Sequence, residues 1–144
     1  MSLSISTSTD YLLQRSLQDL HRRTLEWESN ISFWKQELQF FKKLIKLYGS
    51  QLHLREQILE RDHFMMLLHY YSGELMDLLL KKIHDHESHL KPLIKEVNSQ
   101  DENEYRAEHR ALEKQMRAIE REFHCYKGEL FALIEKVMFR KNQN

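Results

Sequence analysis

Residues 13–48 read LQRSLQDLHRRTLEWESNISFWKQELQFFKKLIKLY, and this stretch decides the fold. Apolar side chains recur in it at alternating steps of four and three residues, which is the heptad pattern of a coiled-coil helix. The seam positions are Leu13, Leu17, Leu20, Thr24, Trp27, Ile31, Trp34, Leu38, Phe41, Ile45 and Tyr48. Only Thr24 is not plainly apolar. A strict period of 3.5 residues predicts a left-handed supercoil, because the seam must keep facing its partners.

The residues on either side of this stretch predict where the first helix begins and ends. Asp10 is a good N-cap residue, so we predict a helix over 10–48 that follows a flexible, Ser/Thr-rich tail over 1–9. Gly49 is predicted to follow the helix with a positive φ, and Ser50 is the next N-cap candidate. A turn this tight makes the second helix an antiparallel neighbour of the first.

The second helix is predicted over 51–97, with a less regular seam. Its seam positions are Leu54, Ile58, Arg61, Met65, Leu68, Ser72, Leu75, Leu79, Ile83, His86, Leu90, Leu93 and Val97. The two successive four-residue steps from Leu75 through Leu79 to Ile83 form a stutter, which unwinds a supercoil locally. Pro92 cannot donate a hydrogen bond to the Ser88 carbonyl, so we expect a kink or a break over 88–92.

A third helix is predicted over 100–140, followed by a frayed end at 141–144. Ser99 and Glu102 have the spacing of a capping box, which marks a helix start. The heptad is clean again, with seam positions Tyr105, His109, Leu112, Met116, Ile119, Phe123, Tyr126, Leu130, Leu133 and Val137. Three long helices joined by two short turns predict an all-α, elongated, up-down-up antiparallel three-helix coiled-coil bundle with a single domain over 10–140.

In outline this architecture resembles a spectrin-type repeat, including tryptophan on the first seam (Trp27 and Trp34). The resemblance is one of architecture only. It implies the bundle and assigns no residue a function.

The composition narrows the class of protein. The 144 residues include 22 basic and 22 acidic residues, and this balance argues against a general nucleic-acid-binding protein. The single cysteine, Cys125, allows no internal disulfide. The first ten residues lack the apolar stretch of a signal peptide, and no apolar run is long enough to span a bilayer. These features predict a cytoplasmic protein. Since no catalytic motif is present, we also expect a non-enzymatic protein without a cofactor.

One end of the predicted bundle carries more apolar residues than a three-helix seam can cover. We expect eight of them to form an interface with a second copy of the chain or with another protein, because contiguous apolar patches usually mark interfaces. They are Phe33, Phe40, Leu47, Leu59, Met66, Tyr70, Phe131 and Met138. The alternative is a well-packed end on which these side chains are exposed singly.

The other end is polar and rich in histidine. Antiparallel counting places His86 level with Glu113, and His109 lies on the third seam. These three side chains could hold zinc or iron, which gives an alternative function as a metal-binding bundle. A ferritin-like site would need a second Glu-x-x-His motif besides the one from Glu60 to His63. We favour a polar layer that fixes the register of the helices, and such a layer could also loosen the bundle on protonation.

Overall fold

The computed structural model describes the backbone of residues 2–96 and 98–143, and the side chains of 17–96 and 98–139. It contains α1 (Ser2–Gly49), α2 (Arg55–Tyr70), a π-helical turn (Tyr71–Leu75), α3 (Met76–Ser88), α4 (Leu90–Lys95) and α5 (Ser99–Gln143). We refer to residues 55–95 as the middle helix, because its four pieces follow one another along a single path. Over the described residues all regular structure is helical.

Contacts between side chains define the direction of each helix. Pairs between α1 and the middle helix run in opposite numerical order, whereas pairs between α1 and α5 keep the same order. They are His21–Glu87 and Lys35–Asp77 for α1 with the middle helix, and Arg23–Glu113 and Glu37–Lys127 for α1 with α5. The middle helix and α5 are antiparallel, since Phe64 contacts Tyr126 and His86 contacts His109. The predicted all-α three-helix bundle is confirmed.

The core lies where the first and third heptads predict it. In α1 the seam from Leu17 to Ile45 is buried, with Leu20 only half-buried, and in α5 every predicted seam position from Tyr105 to Val137 is buried. Thr24 is fully buried in this seam because its hydroxyl donates to the Leu20 carbonyl at 2.9 Å, which satisfies the polar group inside its own helix. The seam assignments of Leu13 and Val97 lie outside the described side chains.

In the first half of the middle helix the predicted seam is right at Leu68 but is one residue off on either side of it. Phe64 and Tyr71 are buried, whereas the predicted Met65 and Ser72 are only half-buried and Leu54 is exposed. The cause is an aromatic cluster. The ring centroids of Tyr71 lie 6.0 Å from Phe123 and 5.4 Å from Tyr126, both edge to face, and Phe64 lies 5.6 Å from Tyr126. Packing these rings buries more apolar surface than packing a Met and a Ser.

The phase change of the middle helix is taken up by the π-helical turn at Tyr71–Leu75. A π turn contains an extra residue, so the seam advances by four residues three times in succession, from Tyr71 to Leu75, Leu79 and Ile83. The extra residue also brings Met76 into the core beside Leu75. The stutter predicted at Leu75–Leu79–Ile83 therefore starts one turn earlier than expected.

The break predicted over 88–92 occurs at His89, between α3 and α4. The His89 amide bonds to the His86 carbonyl at 3.1 Å, which is the tighter i,i+3 pattern of a helix that is ending. Pro92 follows inside α4, where its missing N–H leaves the Ser88 carbonyl without its usual partner from within the helix. Beyond the break, Leu90 and Leu93 pack with Leu17 and Tyr105 in a small second core.

Two predicted helix starts are wrong. α1 begins at Ser2, so Asp10 lies inside the helix and is not its cap, because the residues before it include no helix breaker. The flexibility of 1–9 and the fraying of 141–144 stay predictions. α2 begins at Arg55 instead of 51, because the chain leaves the helical path to bury Leu52.

α5 is capped by Asn98 and not by the predicted Ser99–Glu102 capping box. The Asn98 side-chain oxygen accepts a hydrogen bond from the Gln100 amide, and its carbonyl accepts the first helical bond from Glu102. The Glu102 carboxylate is buried and accepts a hydrogen bond from Arg106 at 2.8 Å. It is therefore engaged within the helix.

Gly49 is needed for a close approach and not for the predicted positive φ. It is the last residue of α1, and no glycine among the described residues has a positive φ. A Cβ atom at Gly49 would lie 2.7 Å from Cδ of Arg61, and the Arg61 guanidinium donates to the Gly49 carbonyl at 3.2 Å. Arg61 therefore caps the end of α1 from the middle helix, a role that its predicted place in the seam did not suggest.

We expect Gly49→Ala and Gly128→Ala to differ in their effect on stability. Both glycines are helical, but a Cβ atom at Gly128 meets nothing within 4 Å. Gly128→Ala should raise the free energy of unfolding by about 0.5–1 kcal/mol, the usual gain in a helix. Gly49→Ala should lack this gain because Arg61 must move off the carbonyl. Urea unfolding of both variants measures the difference, and equal stabilisation would show that the Arg61 contact contributes nothing.

Candidate functional site

The eight side chains predicted to form an interface are all exposed, with 44% to 61% of their surface accessible. These are large apolar groups, and their exposure leaves them available to a partner. Phe33, Phe40 and Leu47 follow one another at seven-residue steps along α1, and Phe131 and Met138 do the same along α5. Seven residues are close to two full helical turns, so each set forms a straight line along its helix.

The two lines lie side by side at the same level. The ion pairs Arg23–Glu113 and Glu37–Lys127 each join residues 90 apart, which fixes the register of α1 against α5. Adding 90 places Phe40 beside Phe131 and Leu47 beside Met138, within about one residue.

Ring contacts agree with this register. The Phe41 ring lies 6.3 Å from Phe40 and 5.5 Å from Phe131 between centroids. Phe41 is itself buried and forms the floor between the two exposed rings. We call the set Phe33, Phe40, Leu47, Phe131 and Met138 the α1/α5 apolar face.

The other three predicted interface residues lie on a different surface. Met66 is two residues from each of the buried Phe64 and Leu68, or about 200° around the helix from both, so it points away from the core. Leu59 lies seven residues earlier on the same outward line. The Tyr70 ring, on the same helix, lies 5.9 Å from the Tyr71 ring and is tilted against it by 51°. The sequence placed all eight side chains at one end of the bundle, but they divide between two surfaces.

At the opposite end the structure forms a buried polar cluster around two histidines. His86 is fully buried and His109 is 2% exposed, and their facing nitrogens, Nε2 and Nδ1, lie 3.1 Å apart. His86 Nδ1 donates to Glu108 at 2.5 Å, and His89 donates to the same carboxylate at 3.1 Å. The imidazole of His86 stacks on Tyr105 at 4.2 Å, and that of His109 stacks on Trp27 at 4.7 Å. The cluster joins all three helices.

Glu108 takes the place that the sequence assigned to Glu113. The Glu113 carboxylate accepts hydrogen bonds from Arg23 at 2.8 Å and Arg117 at 2.9 Å. α4 ends at Lys95 and α5 begins at Ser99, so the turn is centred about two residues earlier than the antiparallel count assumed. The resulting shift of about one helical turn explains the error. Centring the count midway between Lys95 and Ser99, at position 97, pairs His86 with Glu108.

The surroundings of the cluster shift the pKa values of His109, Glu108 and Tyr105. Burial, aided by the nearby charge of His86, lowers the pKa of His109 from 6.5 to about 4, although Glu113 acts in the opposite direction. Burial tends to raise the pKa of Glu108, but hydrogen bonds from His86 and His89 outweigh it and hold the pKa below its ordinary value. Burial raises the pKa of Tyr105 to about 12. His109 is therefore neutral and Glu108 ionised near neutral pH.

This chemistry suits a polar layer better than a metal centre. Among the described residues, no group of three or more His, Cys, Asp or Glu side chains is arranged to hold a metal ion. Of the proposed ligands, His86 and His109 do come together, whereas the Glu113 carboxylate accepts hydrogen bonds from Arg23 and Arg117. His109 Nε2 is buried and has no partner among the described groups.

A shallow cleft of about 270 Å³ opens beside the cluster. It is lined by His89, Pro92, Leu93, Asp101, Glu104, Tyr105 and Glu108. This lining contains no serine, cysteine or lysine that His89 could activate as a nucleophile, and His89 is already bonded to Glu108.

Over the residues that the structure describes, none of the helices combines the length and the apolar character needed to cross a membrane.

No family model, no curated protein and no solved structure matches this chain.

Proposed function

We propose that this is a non-enzymatic helical-bundle protein that acts through protein–protein contact, by pairing with a second copy through the α1/α5 apolar face. One observation carries the proposal. Phe40 and Leu47 lie beside Phe131 and Met138 on adjacent helices, and all four are exposed. Single exposed apolar residues are ordinary, but a contiguous group of aromatic and methionine side chains is typical of interface cores.

The size of the face indicates how tightly it binds. From Phe33 to Leu47 it extends roughly 20 Å at 1.5 Å per residue, and two helices are about 20 Å wide. Two such faces would bury about 800 Å² in total, which is the size of small, transient contacts. We therefore expect a dissociation constant in the micromolar range.

The remaining parts of the proposal rest on the pattern of burial and charge. The buried heptads of α1 and α5 support a coiled-coil bundle with a left-handed supercoil. The free thiol of Cys125 is exposed, as suits a reducing compartment, and with the balanced surface charge it supports a cytoplasmic location.

Changing Phe40 and Phe131 together to lysine should convert a wild-type dimer into a folded monomer. The substitutions place four like charges in the contact while both positions are exposed in the single chain, so folding should be retained. Analytical ultracentrifugation from 1 to 200 μM, with circular dichroism as a check on folding, measures the change. The matched control is Leu59→Lys with Met66→Lys on the middle helix, which should leave the dimer intact. A wild type that stays monomeric at 200 μM would refute the proposal.

A further inference from the structure

We infer that the two copies pair in parallel, with their twofold axis along the bundle and α1 of each copy against α5 of the other. This inference rests on the proposed dimer through the α1/α5 apolar face. It adds the orientation of the partner and two residues, Lys43 and Glu135, that select it. The inference comes from the charges beside the face.

The edge of the face on α1 is basic. Glu37 contacts Lys127 and so marks the side of α1 that faces α5. Each step of three residues turns a helix by about 300°, which is 60° short of a full turn. Counting from Glu37, Phe40 and then Lys43 therefore point progressively further away from α5. Phe40 points out of the face and the exposed Lys43 lies at its far edge.

The edge of the face on α5 is acidic by the same construction. Lys127 faces α1, and each step of four residues turns the helix about 40° beyond a full turn, first to Phe131 and then to Glu135. Glu135 is exposed. In the register of 90 residues Lys43 is level with position 133, so the two charges lie within about 3 Å of the same height.

A symmetric pair can stack this face on itself in two ways. If the twofold axis runs along the bundle, Lys43 of each copy meets the partner's Glu135, and Phe40 meets the partner's Phe131. If the axis runs across the bundle, α1 meets the partner's α1 and the basic edges oppose one another. Opposite charges at the rim of an interface attract and like charges repel, so the parallel arrangement is favoured.

Charge reversal tests the orientation. Lys43→Glu and Glu135→Lys should each weaken the homodimer by about tenfold, because each variant places like charges at both contacts. An equimolar mixture of the two variants should form a heterodimer with roughly wild-type affinity, since both contacts are then of opposite sign. Sedimentation of the separate and mixed proteins, with fluorescence energy transfer between labelled copies, measures this.

Spin labels test the orientation without altering the rim. With Cys125 changed to serine, a label at Arg110→Cys lies on the α5 line of the face, 21 residues before Phe131. In the parallel dimer the two labels are level and should lie within about 30 Å of each other. In an antiparallel dimer they would be about 60 Å apart at 1.5 Å per residue. Pulsed electron paramagnetic resonance measures this distance.

The outcomes separate the two proposals. A dimer in which the mixture binds no tighter than either variant, or in which the labels lie about 60 Å apart, would overturn the parallel orientation and leave the dimer standing. A monomeric wild type would overturn both. Tight mixed pairing and a short label distance would support both.

Discussion

Phe123→Ala should lower the free energy of unfolding by about 3–5 kcal/mol, the cost of a large cavity in a close-packed core. Phe123 is 1% exposed and lies at the centre of the aromatic cluster. Its ring lies 5.7 Å from Trp34, 6.2 Å from Phe41 and 6.0 Å from Tyr71, so one substitution removes contacts with α1 and with the middle helix. Urea unfolding followed by circular dichroism gives the change in stability.

The matched control for this loss is Phe139→Ala on the same helix. Phe139 is 63% exposed, so its removal should change stability by less than about 0.5 kcal/mol. If the two substitutions cost the same, the aromatic cluster would not be the main source of stability in that half of the bundle.

Acidification from pH 7 to pH 4 should destabilise the protein by about 3 kcal/mol through His109 alone. Its pKa is about 4 in the folded state and 6.5 when exposed. Above pH 6.5 the imidazole is neutral in both states, so full stability is present. As the pH falls towards 4 the unfolded state binds the proton first, and each unit of difference in pKa is worth about 1.4 kcal/mol. The low pKa of Glu108 has the same sign, because its stabilising ionised form is also lost in acid.

The slope of stability against pH tests whether His109 causes the loss of stability in acid. His109→Leu removes the titrating group, so the loss between pH 6.5 and pH 4 should become smaller. Stability at pH 7 should also fall by about 1–3 kcal/mol, because His86 Nε2 loses its partner. His84→Leu is the control, since the His84 side chain is 66% exposed, and the loss of stability in acid should be larger in this variant than in His109→Leu. Identical slopes in the two variants would contradict the assignment. Urea titrations at half-unit steps of pH measure them.

The apolar contact surface shows how far sequence reasoning could reach. The heptads placed all eight interface candidates at one end of the bundle and on the outside of its helices, and the structure exposes every one. Height along a helix follows from counting residues. Which side chains share a surface depends on how each helix is rotated against its neighbours, and contacts such as Glu37–Lys127 and Phe41–Phe131 supply that information.

For the histidine cluster, too, one part could be predicted from the sequence and another could not. The sequence placed His86 and His109 on facing seams, and their nitrogens do meet. The predicted carboxylate, Glu113, was wrong, because the choice between Glu108 and Glu113 depends on a shift of one helical turn between the middle helix and α5. That shift follows from the end of α4 and the Asn98 cap of α5.

The sequence by itself determined the three helices, the break near Pro92 and the seams of α1 and α5, because a seam of period 3.5 is a local property of the chain. Only the tertiary structure decided the seam positions Phe64 and Tyr71 of the middle helix, the π turn and the contact of Arg61 with Gly49. In each of these, side chains far apart in sequence compete for one space. The rings of Phe64 and Tyr71 displace the predicted seam because Phe123 and Tyr126 are there to receive them. A local pattern contains no information on which distant ring will be opposite.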